Sequence, residues 1–368
     1  MSSGHPARGP STRAIHAGVP PAAQGRPLLP GPVLAAPFHL QGAADAAPYG
    51  YGRDANPSWT QLERALGELD GGEAVTFASG MAALTAVLLT LLRPGDVLVA
   101  CGDGYPGIRG VADERLRPLG IETRLVATDT EAIRAAVPGA ALVWVETPSN
   151  PRLDVCDVAA VAEAVHAASA LLAVDNTVAT PLGQRPLALG ADLAMLSATK
   201  SVAGHSDVLL GAVSAADPSH AAALRRWRSQ SGAIPGAFEA WLVHRSLATL
   251  ALRVERSSAN AAALAAMLRA REDVLEVMHP AGPLAQRQMA FTGPLVGFTL
   301  ATAQRAQAFL EACELVAEAT SFGGVHSTAE RRGRWGTDAV PEGFVRFSAG
   351  CEDADDLLAD VAAALDRV

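Results

Sequence analysis

From about residue 58 onward the apolar positions alternate between two periods. Trp59, Leu62, Leu66 and Leu69 recur at three- and four-residue spacing, which predicts an amphipathic helix over 58–69. Short, largely apolar strand candidates follow at 74–78, 97–100, 123–126, 142–145, 171–174, 193–196 and 209–213. Runs this short, apolar without alternation, predict strands covered on both faces. Helical stretches lie between several of them, among them 82–92 and 158–168. The alternation predicts an α/β fold, a mostly parallel sheet flanked by helices.

Ile234-Pro235-Gly236 breaks the pattern. A long helical stretch over 237–271 comes next, then strands at 275–278, 296–301 and 344–348 and helices at 304–313 and 354–365. This reads as a smaller C-terminal α+β domain behind a connecting helix. Residues 1–49, rich in Pro, Gly and Ala, read as an extended arm with little regular structure. The expected division is therefore an arm over 1–49, a large domain over 50–235 and a small domain over 236–368. No internal repeat is visible.

Composition narrows the function. The chain has 368 residues, of which 49% are hydrophobic and 18% charged, with a formal net charge of -9. An acidic chain without basic blocks argues against nucleic acid as a partner, while a few local arginines still suffice for a small anion. Met1 to Pro10 is polar and lacks the apolar core of a secretory signal. The longest apolar run, 82–92, is interrupted by Thr85 and Thr90 and is too short for a membrane span. Cys101, Cys156, Cys313 and Cys351 are far apart, so reduced thiols are expected and no metal site. These features suit a cytoplasmic protein.

One count stands out. Lys+Arg is 29, and Lys200 is the only lysine. A bias that replaces surface lysine by arginine explains most of this. Arginine serves for solubility and ion pairing but not as an amine nucleophile, so a retained lysine is a candidate for amine chemistry.

The polar residues at the ends of the expected strands sharpen that reading. Four clusters fall there: Ser79-Gly80-Met81, Glu146-Thr147-Pro148-Ser149-Asn150, Asp175-Asn176-Thr177 and Ser197-Ala198-Thr199-Lys200. In open parallel sheets ligands bind just beyond the carboxyl ends of the strands, which would bring these clusters to one crevice. Ser79 can cap a helix whose N-terminus, opened by Gly80, favours a phosphate; it can equally be a plain cap and tight turn. Asp175, at the end of a buried strand, needs a cation or several donors. A pyridinium nitrogen would satisfy it, as would loop amides. Lys200 becomes a nucleophile if burial or nearby positive charge lowers its pKa.

Taken in order, these segments resemble one family. The matching motifs are Tyr51-Gly52-Arg53-Asp54-Ala55-Asn56-Pro57-Ser58, Ser79-Gly80-Met81-Ala82-Ala83, Glu146-Thr147-Pro148-Ser149-Asn150-Pro151, Ala173-Val174-Asp175-Asn176-Thr177 and the run from Ser197 through Asp207. Phe238-Glu239-Ala240-Trp241-Leu242, Ser321-Phe322-Gly323-Gly324-Val325 and Val345-Arg346-Phe347-Ser348-Ala349-Gly350 continue the likeness. The chain resembles the Cys/Met-metabolism pyridoxal-phosphate enzymes from about residue 30 onward. These include cystathionine γ-lyase, γ-synthase and β-lyase and methionine γ-lyase. The resemblance implies pyridoxal 5'-phosphate as cofactor, held by Lys200 as a Schiff base. It implies that Asp175 pairs with the ring nitrogen, that Tyr105 stacks on the ring, and that Gly80, Met81, Ser197 and Thr199 hold the phosphate. Tyr51 and Arg53 would reach the phosphate of a neighbouring subunit. Arg346, helped by Asn150 and Ser321, would clamp the α-carboxylate of an amino-acid substrate. It further implies a homo-oligomer, a dimer with shared sites doubled to a tetramer.

The sequence also departs from the family pattern. Ser201 replaces the aromatic residue that often follows the lysine, and the turn after Tyr105 reads Pro106-Gly107-Ile108. Methionine γ-lyases characteristically carry a cysteine where Gly107 stands. Arg109 falls one place short of an arginine typical of members that recognise cystathionine. His326 occupies the position of a frequent glutamate, either touching a distal group or facing solvent, and the stretch 329–342 is short. The expectation is elimination of the cystathionine γ-lyase type, yielding cysteine, 2-oxobutyrate and ammonia. The alternatives are γ-synthase-type replacement on an activated homoserine ester, or a specialised carbon–sulfur lyase of secondary metabolism. A nicotinamide dehydrogenase is disfavoured because no G-x-G-x-x-G follows the early strands. A non-catalytic binding protein is disfavoured because every expected cofactor residue is present.

Overall fold

The computed structural model describes residues 8–368. Residues 1–7 of the expected arm lie outside that range. Twelve strands form two sheets among the described residues. The first seven are β1 (Glu73–Phe77), β2 (Val97–Cys101), β3 (Glu122–Val126), β4 (Leu142–Glu146), β5 (Leu171–Asp175), β6 (Leu193–Ser197) and β7 (Gly211–Ala215). The other five are β8 (Glu276–Met278), β9 (Leu295–Thr299), β10 (Ala317–Glu318), β11 (Thr328–Arg331) and β12 (Phe344–Ser348).

The first sheet has the order β1-β7-β6-β5-β4-β2-β3. Its pairings are parallel from β3 through β6; β7 runs antiparallel to both of its neighbours. The strands β4 and β5 are almost wholly buried, as the unbroken apolar runs require. Two clusters line the two faces. Phe77, Leu88, Trp144 and Met195 belong to one face. Val99, Val143, Leu172 and Val174 belong to the other. The α/β class expected from the sequence is thus the one observed. The second sheet, β10-β11-β12-β9-β8, packs around Phe298, Phe309, Phe347 and Leu357.

Several local expectations need correction. The arm contains a helix, Pro10–His16, that buries Ala14 and is tied by a bond from Arg13 to the Leu69 carbonyl. The long helix over 237–271 is two helices, Ala237–Leu247 and Leu250–Arg269. Arg253 takes the Ser246 carbonyl at 2.8 Å and the Thr249 hydroxyl at 3.1 Å, supporting the turn between them. The strand expected at 209–213 is shifted to Gly211–Ala215, because Leu210 bonds Thr199 through both its N–H and its carbonyl. Helix Pro218–Ser231 and strands β10 and β11 carry too little apolar periodicity to be read in advance.

Candidate functional site

The polar ends of β4, β5 and β6 converge on one cleft of about 280 Å³. Its walls include Gly80, Met81, Tyr105, Asn150, Asp175, Ser197, Thr199, Lys200, Ser321 and Arg346, ten of the twelve residues singled out from the sequence. Tyr51 and Arg53 are the exceptions. Arg53 lies over the Tyr51 ring and donates to the Ser229 carbonyl at 3.0 Å, away from this cleft. A second groove, of about 470 Å³, lies between Thr60 and Arg225, and its walls hold the ion pairs Arg64–Glu68 and Arg225–Glu73 and no lysine, histidine or cysteine.

Lys200 sits in the turn after β6, where its N–H bonds the Ser197 carbonyl. Its Nζ donates to Ser321 Oγ at 2.7 Å and stands 5.2 Å from the centre of the Phe322 ring. Burial, and then the Arg346 charge, bring its pKa down to about 8, against an opposing pull from Glu330 and Asp175. Such an amine is partly unprotonated near neutrality and is a competent nucleophile. Arg253 fixes the backbone beyond it by donating to the carbonyls of Ser201 and Val202.

Asp175 ends β5, beside Glu146 on β4 as its register partner. Thr177 gives both its N–H (3.0 Å) and its hydroxyl (2.5 Å) to Asp175 Oδ1. The same hydroxyl accepts the Ser197 N–H at 2.8 Å. One threonine thus ties the carboxylate to the neighbouring turn and leaves Oδ2 for a cation. Burial pushes the Asp175 carboxyl up, against the opposing pull of the two Thr177 donors and the Lys200 charge. Glu146 is raised further, by burial and then by Asp175. Its two oxygens accept the N–H groups of Tyr105 (2.6 Å) and Asn150 (2.7 Å), so it holds two walls of the cleft together.

On the opposite side, Ser79 caps helix Gly80–Leu91 by accepting the Ala82 N–H at 3.1 Å. Ser79, Gly80 and Met81, at the N-terminus of this helix, line the cleft, and a helix N-terminus is a suitable seat for a phosphate. A side chain at Gly80 would put its Cβ 2.8 Å from that of Ser197, so glycine lets these two segments of the cleft wall close together. Thr199 is less free than Ser197, since its hydroxyl is engaged by the Leu210 backbone.

Arg346, on β12, donates to Asn150 Oδ1 at 2.8 Å and to the Ser321 carbonyl at 2.9 Å. Ser321 itself has φ +74°, a left-handed conformation that a non-glycine residue holds only when its surroundings enforce it. Glu146 and Thr177 were expected at the crevice only as parts of their clusters, without a role, and Arg332, in the cleft wall, and its partner Glu330 were not anticipated at all. The first two lie within quoted motifs, but nothing in the sequence shows what they bond.

Two residues left open by the sequence are now located. Arg109 donates to the carbonyls of Gly102, Gly104 (3.1 Å) and Thr337, bracing the Tyr105 loop against the 332–340 segment. His326 is exposed and is not part of the cleft wall.

The set of groups fits pyridoxal phosphate. It offers an amine for the aldehyde, a free carboxylate oxygen for the ring nitrogen, a half-exposed tyrosine for the ring face, and a helix N-terminus with Ser197 for the phosphate. Comparison with known proteins agrees. Residues 11–366 match the family described as Cys/Met metabolism PLP-dependent enzyme. A putative cystathionine gamma-lyase of Streptomyces coelicolor is 54% identical, over 98% of this chain and 94% of that protein. A cystathionine gamma-synthase of Mycobacterium bovis is 38% identical over 97% of each chain. The solved structure of apo CalE6 from Micromonospora echinospora, described as a methionine gamma lyase, superposes with a TM-score of 0.90 at 40% identity, covering 96% of this chain and 98% of that one.

Proposed function

The chain belongs to the Cys/Met-metabolism pyridoxal-phosphate enzymes, and from that membership we propose that it is a carbon–sulfur lyase of the cystathionine γ-lyase type. One observation carries the reading: a primary amine with lowered pKa, a buried carboxylate and a buried guanidinium face a single cleft. Pyridoxal phosphate, when bound, supplies an electron sink for charge developing at the substrate's α-carbon. The protein residues do the rest. Lys200 would hold the cofactor through its aldehyde, and its amine, with lowered pKa, would be placed to move protons at the substrate's α- and β-carbons. Asp175 keeps the ring nitrogen protonated. Tyr105 covers the ring face, and Gly80, Met81, Ser197 and Thr199 hold the phosphate. Arg346, Asn150 and Ser321 receive the substrate α-carboxylate, to which a guanidinium fork is matched.

The relative at 54% identity favours γ-elimination. The γ-synthase at 38% keeps γ-replacement as a second reading. Methionine is a less suitable substrate on the family's own criterion. A Cβ at position 107 would lie 2.5 Å from the Tyr105 ring and 2.6 Å from Met81 Sδ, so the cysteine characteristic of methionine γ-lyases would require both side chains to shift. We further propose a cytoplasmic homotetramer built from dimers in which Tyr51 and Arg53 complete the partner's phosphate site. The proposed division remains an arm over 1–49, a large domain over 50–235 and a small one over 236–368.

The deciding experiment incubates holoenzyme with cystathionine and assays cysteine, 2-oxobutyrate and ammonia. Parallel reactions contain an activated homoserine ester with cysteine, or methionine alone. All three products from cystathionine support γ-elimination. Cystathionine formed from the ester, with no breakdown of cystathionine, establishes γ-replacement instead. Sedimentation of the holoenzyme distinguishes dimer from tetramer.

A further inference from the structure

Glu330 lies directly opposite Arg346 in the antiparallel pairing of β11 with β12, so the two side chains share one face of the sheet. Glu330 is fully buried and carries more partners than any single ion pair needs. Its Oε1 accepts from Arg346 Nη2, from Arg332 Nη1 at 3.1 Å and from Thr320 Oγ1 at 3.3 Å. Its Oε2 accepts from Trp335 Nε1 at 2.9 Å, with Arg334 Nη2 at 3.7 Å. Arg332 turns its other edge to Asp338 Oδ2 at 2.5–2.8 Å. Arg332 and Arg346 both form part of the cleft wall, and both are buried.

Two buried guanidiniums side by side repel each other, and each is costly to desolvate. One carboxylate oxygen shared between them removes much of that cost. It also fixes orientation. Glu330 and the Ser321 carbonyl occupy Nη2 of Arg346, and Asn150 takes one donor of Nη1. The donors that remain are then the ones a carboxylate entering the cleft can use. The burial of Glu330 favours its neutral form, but Arg346, Trp335 and Arg332 outweigh this and keep it ionised.

We propose that Glu330 is a positioning residue for substrate binding, holding Arg346 in the one orientation that presents its free donors to the substrate carboxylate. This rests on the reading that Arg346 receives that carboxylate. Glu330 does not touch the cofactor residues Asp175, Ser197 or Thr199. Its only reach toward Lys200 is through charge: Glu330 and Asp175 raise the amine's pKa, and Arg346 lowers it.

The test compares Glu330→Gln, Arg346→Gln and wild type, each loaded with pyridoxal phosphate, using L-cystathionine as probe. Substrate binding is read from its change in the cofactor absorption band as well as from turnover. In Glu330→Gln, KM and the spectral Kd for cystathionine should rise about ten- to a hundredfold, with kcat changed by less than about threefold and cofactor affinity unchanged. A second readout uses cofactor-free protein labelled with 15N-lysine, where Lys200 is the only lysine signal. Its pKa should move down in Glu330→Gln and up in Arg346→Gln. An unchanged Kd in Glu330→Gln while Arg346→Gln loses binding overturns the proposal but keeps Arg346 as the carboxylate receptor. Unchanged binding in both variants overturns the underlying reading. If Glu330→Gln does not fold, Trp335→Phe, which removes only one donor to Oε2, should still raise Kd measurably; no change there would count against the proposal.

Discussion

Lys200 Nζ donates to Ser321 Oγ across 2.7 Å, joining the turn after β6 to the loop after β10, 121 residues later. The amine that would carry the cofactor and the backbone that braces Arg346 therefore meet at one residue. Ser321 gives its hydroxyl to the lysine and its carbonyl to the arginine. The two sheets contribute to the same site through this contact, and the amine is held in a place where ionisation is unfavourable.

The first prediction follows from that burial. The Lys200 pKa falls from an ordinary 10.5 to about 8. Between those values the unfolded chain binds more protons than the folded one, so the group's contribution to stability rises with pH across that window. Below pH 8 the buried amine is a cost on the order of 3 kcal/mol. Cofactor-free Lys200→Met should accordingly be more stable than wild type at pH 7, and the gap should shrink as pH rises from about 8 to 10.5. Urea unfolding midpoints at several pH values measure this. A gap independent of pH would mean the amine is solvated.

Asp175 carries the second prediction. Thr177 occupies Oδ1 with two donors, so the free oxygen is the partner available to a ring nitrogen. A hydrogen bond to a charged group contributes about 1.5–3 kcal/mol. Asp175→Asn should weaken cofactor binding about ten- to a hundredfold and reduce turnover at saturating cofactor, because the ring nitrogen loses the charge that keeps it protonated. Equilibrium dialysis gives the first quantity and steady-state kinetics the second. Native affinity in the variant would remove Asp175 from this role.

Arg109 distinguishes bracing from recognition. Its Nη1 serves the carbonyls of Gly102 and Gly104, and its Nη2 gives one donor to the Thr337 carbonyl. Arg109→Ala should destabilise the protein by about 1–3 kcal/mol, the cost of leaving partly buried acceptors unmatched. Thermal unfolding would show the loss, together with faster amide exchange over 332–340. The effect on KM should be alike for cystathionine and for cysteine. A selective rise for cystathionine, which carries the extra carboxylate, would assign Arg109 to distal recognition instead.

The legibility of these features differs for physical reasons. The strands β1, β2, β4, β5 and β6 could be read because burial leaves a largely apolar run, whereas β3, at the sheet edge, is half exposed and offers only Leu125 and Val126 as a signal. Lys200 and Asp175 could be read because a lone amine and a carboxylate at the end of a buried strand are chemically conspicuous. Glu330 could not. It sits between Ala329 and Arg331 at the head of an arginine-rich stretch that looks like a solvated surface, and its partner Arg346 comes after the intervening turn. Arg109 was ambiguous because its partners are backbone carbonyls, which no side-chain pattern reveals. Helix Pro218–Ser231 was missed because Arg225, Arg226 and Arg228 mask its apolar face, although Arg228 is buried against Glu63 at 2.5 Å.

The last prediction concerns Ser201, which follows the lysine where an aromatic residue is frequent in the family. Ser201 is buried, and its hydroxyl has no partner among the described residues. The reason it is small lies across the interface between the two loops. Gly323 has φ +80°, and a Cβ there would lie 2.5 Å from both the backbone N and the Oγ of Ser201. The glycine is needed twice, once for its left-handed backbone and once for the close approach. Gly323→Ala should therefore cost about 1–2 kcal/mol for the conformation and a further 1–3 kcal/mol for overpacking. Ser201→Gly removes the Oγ contact but not the contact with the backbone N, so the double variant should recover only part of the overpacking cost and none of the conformational one. Chemical denaturation of the four proteins in the cycle measures the coupling. Strict additivity would show that the two loops do not press on each other. A positive coupling would show that the small residue beside Lys200 is set by the packing of the loop that carries Ser321, and so by the same contact that positions the amine.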